Sequence, residues 1–185
     1  LHRLQEFAER NQLPYRTVLR SDASAWSELA KTTALPEAGT VVVTGQRRVM
    51  TAPTTRDLAT ALGIDLWCLS DDSRCDLLVV GAGPAGLAAA VYGASEGLDV
   101  VVVEDVAIGG QAGSSSRIEN YLGFPRGISG AELARAAMLQ AVKFGTKLVS
   151  PRSVTGLSRV SGGFRVRLDD VRLDRALKAV GRNAD

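Results

Sequence analysis

The chain has 185 residues, 45% of them hydrophobic, which is enough to bury a core in one ordinary domain or two small ones. Its 22 lysine and arginine residues nearly balance 20 acidic residues and are scattered, so the charge pattern does not indicate nucleic-acid binding. No apolar run is long enough for a membrane span and no secretory signal pattern is present; with only two cysteines, this predicts a cytoplasmic protein.

Residues 1–69 are predicted to form a small α/β domain. Apolar residues at helical spacing in LHRLQEFAER predict a first helix, and SDASAWSELAKTTAL predicts a second helix capped by Ser21 or Asp22. The TVLR segment between them is a candidate strand. GTVVVTGQRRVMTAP then predicts a hairpin of two strands, and TRDLATALGI predicts a third helix that Thr54 or Thr55 caps.

The character of the chain changes after the polar segment SDDSRC, residues 70–75, which is predicted to be a linker. DLLVV is an apolar run typical of a parallel strand buried on both faces, and it leads directly into GAGPAG. A helix, LAAAVYGASEG, follows, and DVVVVED supplies a second buried strand that ends at Glu104 and Asp105. This part of the chain is therefore a single unit made of a strand, a glycine turn, a helix and a second strand that ends at an acidic residue.

Each glycine of that unit has a physical task in a dinucleotide-binding site. Gly81 permits the tight turn, Gly83 lets the backbone approach a pyrophosphate, and Gly86 lets the helix pack against the strand. Glu104 is predicted to accept hydrogen bonds from the adenosine ribose hydroxyls, and its charge would repel a 2′-phosphate. The alternative is a glycine-rich turn in an unrelated α/β protein.

The segment IGGQAGSSSRIENYLGFP separates NAD from FAD as the expected dinucleotide, because an NAD domain would be expected to repeat strand–helix units here. Considered alone, it could be an ordinary solvated loop in which Arg117 and Glu119 face solvent or pair locally. Together with GAGPAGLAAAVYGASEG, however, its GGQ, its hydroxyl-rich SSS and its IENY and GFP motifs closely resemble the low-molecular-weight thioredoxin reductase family of flavoproteins. This resemblance covers about residues 75 to 168.

The resemblance implies a Rossmann-like, three-layer FAD-binding domain with an antiparallel crossover hairpin. It implies electron flow from NAD(P)H through FAD to a disulfide of a thioredoxin-like protein or to another acceptor, and a homodimer in the complete protein. Backbone around residues 151–154 would lie near the adenine. The implied cofactor positions are Gly81, Gly83, Pro84, Ala85, Gly86, Glu104, Gly110, Gln111 and Asn120.

The remaining sequence supplies further elements of that domain. Ser129 or Gly130 is predicted to cap the helix GAELARAAMLQAVKFG, TKLVS is a predicted strand, and SVTGLSRVSGGFRVRLDD predicts a hairpin through Gly162. The final VRLDRALKAVGRNAD fits either a strand or a short amphipathic helix. Residues 76–185 are therefore interpreted as the first, truncated part of an FAD-binding domain.

The resembling family carries a redox CxxC in an NADPH domain, and this sequence contains no CxxC. Cys68 and Cys75, with six residues between them, are either inert thiols or a redox pair. His2 is interpreted as a surface residue rather than a general base. No catalytic residue and no metal ligand is therefore predicted.

The first domain is similar in layout to the thioredoxin-like or glutaredoxin-like segment that precedes the flavin module in some fusion proteins. The residues that carry this similarity are LQEFAERNQLPYRTVLRSD, TVVVTGQRRVM and TTRDLATALGI. Without its CxxC, it is interpreted as a degenerate or truncated adaptor; the alternative is a small α/β domain with no such relation.

The functional hypothesis is an FAD-dependent oxidoreductase resembling thioredoxin reductase, represented here by a fragment that begins at Leu1 rather than at methionine. The alternative is a non-catalytic nucleotide-binding or interaction module derived from such a reductase.

Overall fold

The computed structural model of the chain describes residues 1–64 and 74–169, which belong to two compact units, Leu1–Gly63 and Ile64–Asp185. Most of the predicted linker at 70–75 and the whole C-terminal segment VRLDRALKAVGRNAD lie outside the described residues. The domain limits expected from the sequence, 1–69 and 76–185, therefore stay predictions.

The first unit contains the predicted helices and hairpin. Asp22, not Ser21, caps the second helix by accepting from the Ala25 N–H at 3.0 Å, and Thr54 caps the third in a reciprocal capping box with Asp57. Phe7 and Leu58 are buried in its small core. In chain order the elements are α1 (His2–Arg10), α2 (Ala23–Thr32), β1 (Val41–Val43), β2 (Val49–Thr51) and α3 (Thr55–Leu62).

The prediction of a strand at TVLR is wrong. Residues 13–19 form no helix or strand, although Val18 and Leu19 suit one. The reason is that a strand exists only when its backbone pairs with a neighbour, and no backbone hydrogen bond within residues 1–64 joins this segment to β1.

The second unit is built around a parallel sheet. Its elements in chain order are β3 (Leu77–Val80), α4 (Pro84–Ser95), β4 (Val100–Val103), a 3₁₀ turn (Gly110–Ser114), α5 (Gly130–Lys143), β5 (Lys147–Val149), β6 (Val154–Val160) and β7 (Gly163–Leu168). The strand order is β3-β4-β5, with Leu77 opposite Val100 and Val101 opposite Lys147. The central strand β4 is wholly buried, as its run of four valines predicts.

Alternate valines of β4 face two different layers. Val100 and Val102 pack in one cluster with Leu87 of α4 and Ala141 of α5, whereas Val101 and Val103 pack in another with residues of the β6–β7 hairpin. The unit therefore has helices on one face of the sheet and an antiparallel hairpin on the other. This confirms the predicted α/β fold with its crossover hairpin; the thioredoxin-like nature of the first unit stays a prediction.

The residues that the structure describes contain no helix long and apolar enough to cross a membrane. They also contain no cluster of three or more His, Cys, Asp or Glu side chains arranged to hold a metal ion.

The start of α5 is held by a capping box that should make its stability depend on pH. Ser129 Oγ donates to Glu132 Oε2 at 2.6 Å, and the Glu132 N–H donates back to Ser129 Oγ at 3.2 Å. The hydrogen bonds from the Ser129 side chain and backbone lower the pKa of Glu132. A carboxylate with a lowered folded-state pKa stabilises the fold above its unfolded pKa of about 4.3, and that contribution disappears as the pH falls through the folded value.

We therefore expect Glu132→Gln to lower the melting temperature at pH 7 and to lower it less at pH 3, where a larger share of the native carboxyl groups carries a proton. Thermal unfolding of both chains at the two pH values measures this. Glu96→Gln, which alters an exposed glutamate at the end of α4, should leave the pH 7 melting temperature undiminished. An equal loss for Glu132→Gln at both pH values would contradict a role for the charged form.

Candidate functional site: a glycine turn at the end of the parallel sheet

The site begins where β3 ends and α4 begins. Gly81 adopts a φ of 98°, which disfavours any residue with a side chain, and Gly83 is the N-cap of α4 with Pro84 in its first turn. A Cβ on Gly86 would lie 2.0 Å from the Gly81 carbonyl oxygen. The helix thus packs directly against the turn, and it can do so only with glycine at this position, as the sequence predicts.

The outer side of the turn is open. A Cβ added to Gly81 or Gly83 would meet no atom of residues 1–64 or 74–169 within 4 Å. Moreover, α4 has neither a side-chain cap nor an acidic residue in its first turn, whereas α2, α3 and α5 are all capped by side chains. The free N–H groups at the start of α4 and the positive end of its helix dipole thus lie beside this open side of the turn, an arrangement that fits a bound pyrophosphate.

Glu104 lies at the carboxyl end of β4, beside this turn, and is only 6% exposed. Its Oε2 accepts from the Ala82 N–H at 2.7 Å, and its Oε1 accepts from the Val106 N–H at 3.2 Å. The sequence predicts a ribose contact for this carboxylate, but a role in holding the turn could be found only from the structure. Since a carboxylate has about four acceptor positions, these two bonds leave room for ribose hydroxyls.

We expect Glu104→Ala to destabilise the chain by about 1–3 kcal/mol, because it leaves the buried Ala82 N–H without an acceptor. ADP binding should weaken as well, since the turn loses its support. Chemical unfolding without ligand and titration with ADP measure the two effects separately.

Asp105→Ala provides the matched control, because Asp105 is the neighbouring carboxylate and is exposed. It should alter neither quantity. Unchanged stability of the Glu104→Ala chain would show that this carboxylate does not support the turn.

The GGQ motif contacts the glycine turn. The Gly109 N–H donates to the Ala82 carbonyl at 2.8 Å, and a Cβ on Gly110 would lie 3.0 Å from the Gly83 Cα. Gly110 has a φ of 56°, so it also needs the left-handed conformation that glycine adopts easily. The structure therefore brings together Glu104, Gly110 and the glycine turn.

Gln111 and Asn120 are further along the same loop, and both are exposed. The Gln111 carbonyl accepts from Ser114 Oγ at 2.8 Å, which leaves its side-chain amide available. Among residues 74–169, no hydrogen bond ties the Asn120 side chain to the turn. Their cofactor contacts remain predictions.

The loop that carries these amides is closed by its own contacts. Ile118 and Ile128 form an antiparallel bridge with bonds of 2.7 and 3.0 Å, and Arg117 Nε lies 2.9 Å from Glu119 Oε1. The predicted local pairing of Arg117 with Glu119 is therefore confirmed. Both side chains are largely exposed, so this pair contributes little stability by itself.

Gly130 is a site-positioning residue that the sequence identified only as a possible helix cap. A Cβ there would lie 1.7 Å from the Ala112 carbonyl oxygen, and the Gly130 N–H donates to the Ser115 carbonyl at 2.8 Å. The start of α5 thus lies directly against the 3₁₀ turn that follows Gly109. In the sequence, the signal for this contact is a glycine directly after the serine cap. Alanine would form the helix better at that position, so a glycine there indicates a close approach of another part of the chain.

Residues 151–154 follow β5 at the same end of the sheet. The Arg152 N–H donates to the Glu104 carbonyl at 2.8 Å, and Arg152 is buried. This places the backbone beside Glu104, next to where the adenine is expected. Because Cys68 lies outside the described residues, the alternatives for Cys68 and Cys75 stay open.

This fold and its open glycine turn define a nucleotide-binding α/β protein whose site lies at the carboxyl ends of parallel strands. The chain belongs to the pyridine nucleotide-disulphide oxidoreductase family, whose sequence model matches residues 75–184. This confirms the class of protein that the motifs predict.

Individual relatives also match part of the chain. Thioredoxin reductase of Ureaplasma parvum is 45% identical over 74 residues, which is 40% of this chain and 24% of that protein. NADPH-dependent thioredoxin reductase 3 of Arabidopsis thaliana is 35% identical over 99 residues, or 51% of this chain and 18% of that protein.

Among solved structures, thioredoxin reductase from Streptococcus pyogenes MGAS5005 has a TM-score of 0.51 and 34% identity, over 54% of this chain and 32% of that one. The chain spans about a quarter or less of the length of the two curated relatives. The likeness therefore concerns one part of those proteins.

Proposed function

We propose that the second unit binds FAD as the first part of the flavin domain of a thioredoxin reductase-like oxidoreductase. The observation that carries this proposal is the open glycine turn at the uncapped start of α4, with Glu104 and Gly110 in direct contact with it. The family membership of residues 75–184 supports the same conclusion.

The residues divide into two groups by the part of the dinucleotide they would hold. The turn from Gly81 to Gly86 would bind the pyrophosphate through backbone N–H groups, and Glu104 would accept from the ribose of the ADP half. Gly110 would allow close approach of the pyrophosphate and ribityl chain, while the neutral amides of Gln111 and Asn120 would fix polar atoms without adding charge. When bound, FAD supplies the redox-active ring; the chain supplies binding and orientation.

For the complete protein, we propose electron transfer from NAD(P)H through FAD to a disulfide of a thioredoxin-like protein or to another acceptor. This chain would contribute residues 76–185 as part of the flavin domain, preceded by a thioredoxin-like segment at 1–69 and the 70–75 linker. A cytoplasmic location and a homodimeric complete protein are proposed from the sequence and the resemblance alone.

Titration of the purified 185-residue chain tests the binding proposal. FAD should bind with a change in flavin absorbance and fluorescence, and ADP should displace it because both would occupy the glycine turn. FMN, which has the flavin but lacks the ADP half, is the control and should not compete. If neither FAD nor ADP binds at concentrations up to about 1 mM, the proposal is wrong; ADP binding without FAD binding would favour the non-catalytic nucleotide-binding module.

A further inference from the structure

The first unit contains a strand, β1, that is less buried than its sequence predicts. β1 is a run of three valines, a pattern typical of strands buried on both faces, yet all three residues are only half-buried and the strand pairs with β2 alone. β4 in the second unit offers an internal comparison. It is a run of four valines with a strand on either side, and each of its residues is at most 2% exposed.

The backbone of β1 has hydrogen-bonding groups on its open side. Ala52 N–H donates to the Thr40 carbonyl and Thr44 N–H donates to the Arg48 carbonyl, so these pairs are hydrogen-bonded. Because bonded pairs alternate along an antiparallel ladder, Val41 and Val43 direct their N–H and C=O groups away from β2. Within residues 1–64, these groups have no partner.

A groove of about 580 Å³ lies along this open edge. Residues 41–45 form one wall and residues 13–18 form the other, while apolar side chains of the three helices, including Leu4, Ala25 and Leu58, complete the lining. The second wall includes Thr17 and Val18 of the TVLR segment predicted to be a strand, and residues 14–18 make no backbone-to-backbone hydrogen bond within the described part of this unit. Two strand-forming segments thus border one apolar groove, and neither is paired across it.

The charges of the groove restrict what it can bind. Its charged lining residues are Arg16 and Glu28, one of each sign. A strongly acidic or basic ligand would therefore find no complementary field, whereas a neutral ligand would match both the apolar lining and the balanced charge.

We infer that this groove binds an extended, uncharged peptide segment of a partner polypeptide by β-strand addition. The peptide's backbone would pair with Val41 and Val43 on one side and with residues 14–18 on the other. Valine, isoleucine or threonine at alternate positions would face the apolar lining. Both walls would then acquire the neighbours that their sequences favour, and this binding is independent of the flavin site.

The test uses the 185-residue chain and one uncharged synthetic peptide, acetyl-QTVTVTVTQ-amide, in which valine alternates with threonine between terminal glutamines. Nuclear magnetic resonance should show slower hydrogen exchange at the Val41 and Val43 amides on addition of peptide, by about tenfold or more, because each N–H acquires an acceptor. A peptide of the same composition with N-methylated central residues cannot donate to the walls and should bind far more weakly.

A pair of leucine variants locates the site. Leu62 lines the groove and is 39% exposed, whereas Leu19 is 61% exposed in the same unit and does not line it. We expect Leu62→Glu to weaken peptide binding by about tenfold or more, because an apolar contact is replaced by a charge, and Leu19→Glu to leave it unchanged.

Three outcomes would overturn the inference. The first is no binding of the peptide at about 1 mM. The second is binding without protection of Val41 and Val43. The third is protection that increases with protein concentration in the absence of peptide, which would identify a second copy of the chain as the occupant instead.

Discussion

Gly83→Ala is expected to fold with the stability of the unmodified chain and to bind ADP about 5- to 150-fold more weakly. Gly83 has a φ of −71° and a ψ of 179°, a conformation that alanine adopts without strain, and the added methyl group would meet no atom of the described residues within 4 Å. That methyl group would instead occupy the space proposed for the pyrophosphate. Overpacking of this kind costs about 1–3 kcal/mol, which would appear only in the complex.

Gly86→Ala is the contrasting variant, because it should lower both the stability of the free chain and its affinity for ADP. Its Cβ would lie 2.0 Å from the Gly81 carbonyl oxygen, so the turn or the helix must move even without a ligand. Thermal unfolding of the free chains and calorimetric titration with ADP separate the two cases. If Gly83→Ala binds ADP as tightly as the unmodified chain, the open face of the turn is not the phosphate site.

The elements of the second unit could be predicted because each is specified by nearby residues. The glycines of the turn and the serine cap of α5 determine local structure on their own, and the unbroken valine run of β4 indicates a strand that is buried on both faces; the structure contains all three features. In the first unit, TVLR could not be judged in the same way. Its strand propensity is real, but a strand depends on a partner that no local pattern reveals.

The candidate site likewise combines features that the sequence predicts with features that only the structure shows. The glycine positions follow from a motif whose steric reasons are local, and the contacts of Gly86 agree with those reasons. The support that Glu104 gives to Ala82 and the contact between Gly130 and Ala112 join residues distant in sequence, so only the folded chain shows them. The roles of Gln111 and Asn120 depend on a ligand, and they remain predictions.

Gly130→Ala should have the opposite effect to the one that helix propensity predicts. Alanine in place of glycine near a helix start favours the helix by up to about 1 kcal/mol. However, the new Cβ would lie 1.7 Å from the Ala112 carbonyl oxygen, a backbone atom that cannot move without the 3₁₀ turn. Overpacking costs of about 1–3 kcal/mol exceed the gain, so we expect net destabilisation.

Displacement of the 3₁₀ turn by Gly130→Ala should also change the affinity for FAD relative to the affinity for ADP. Movement of the 3₁₀ turn would shift Gln111, which is proposed to contact the part of FAD beyond the ADP half, more than the glycine turn before α4, so FAD affinity should fall more than ADP affinity. The FAD-to-ADP affinity ratio, measured by titration beside chemical unfolding, is therefore the informative quantity. Gly156→Ala is the control, since its Cβ would meet its nearest atom at an ordinary 3.6 Å. A Gly130→Ala chain with an unchanged ratio would show that the segment after Gly109 does not contact the part of FAD beyond the ADP half.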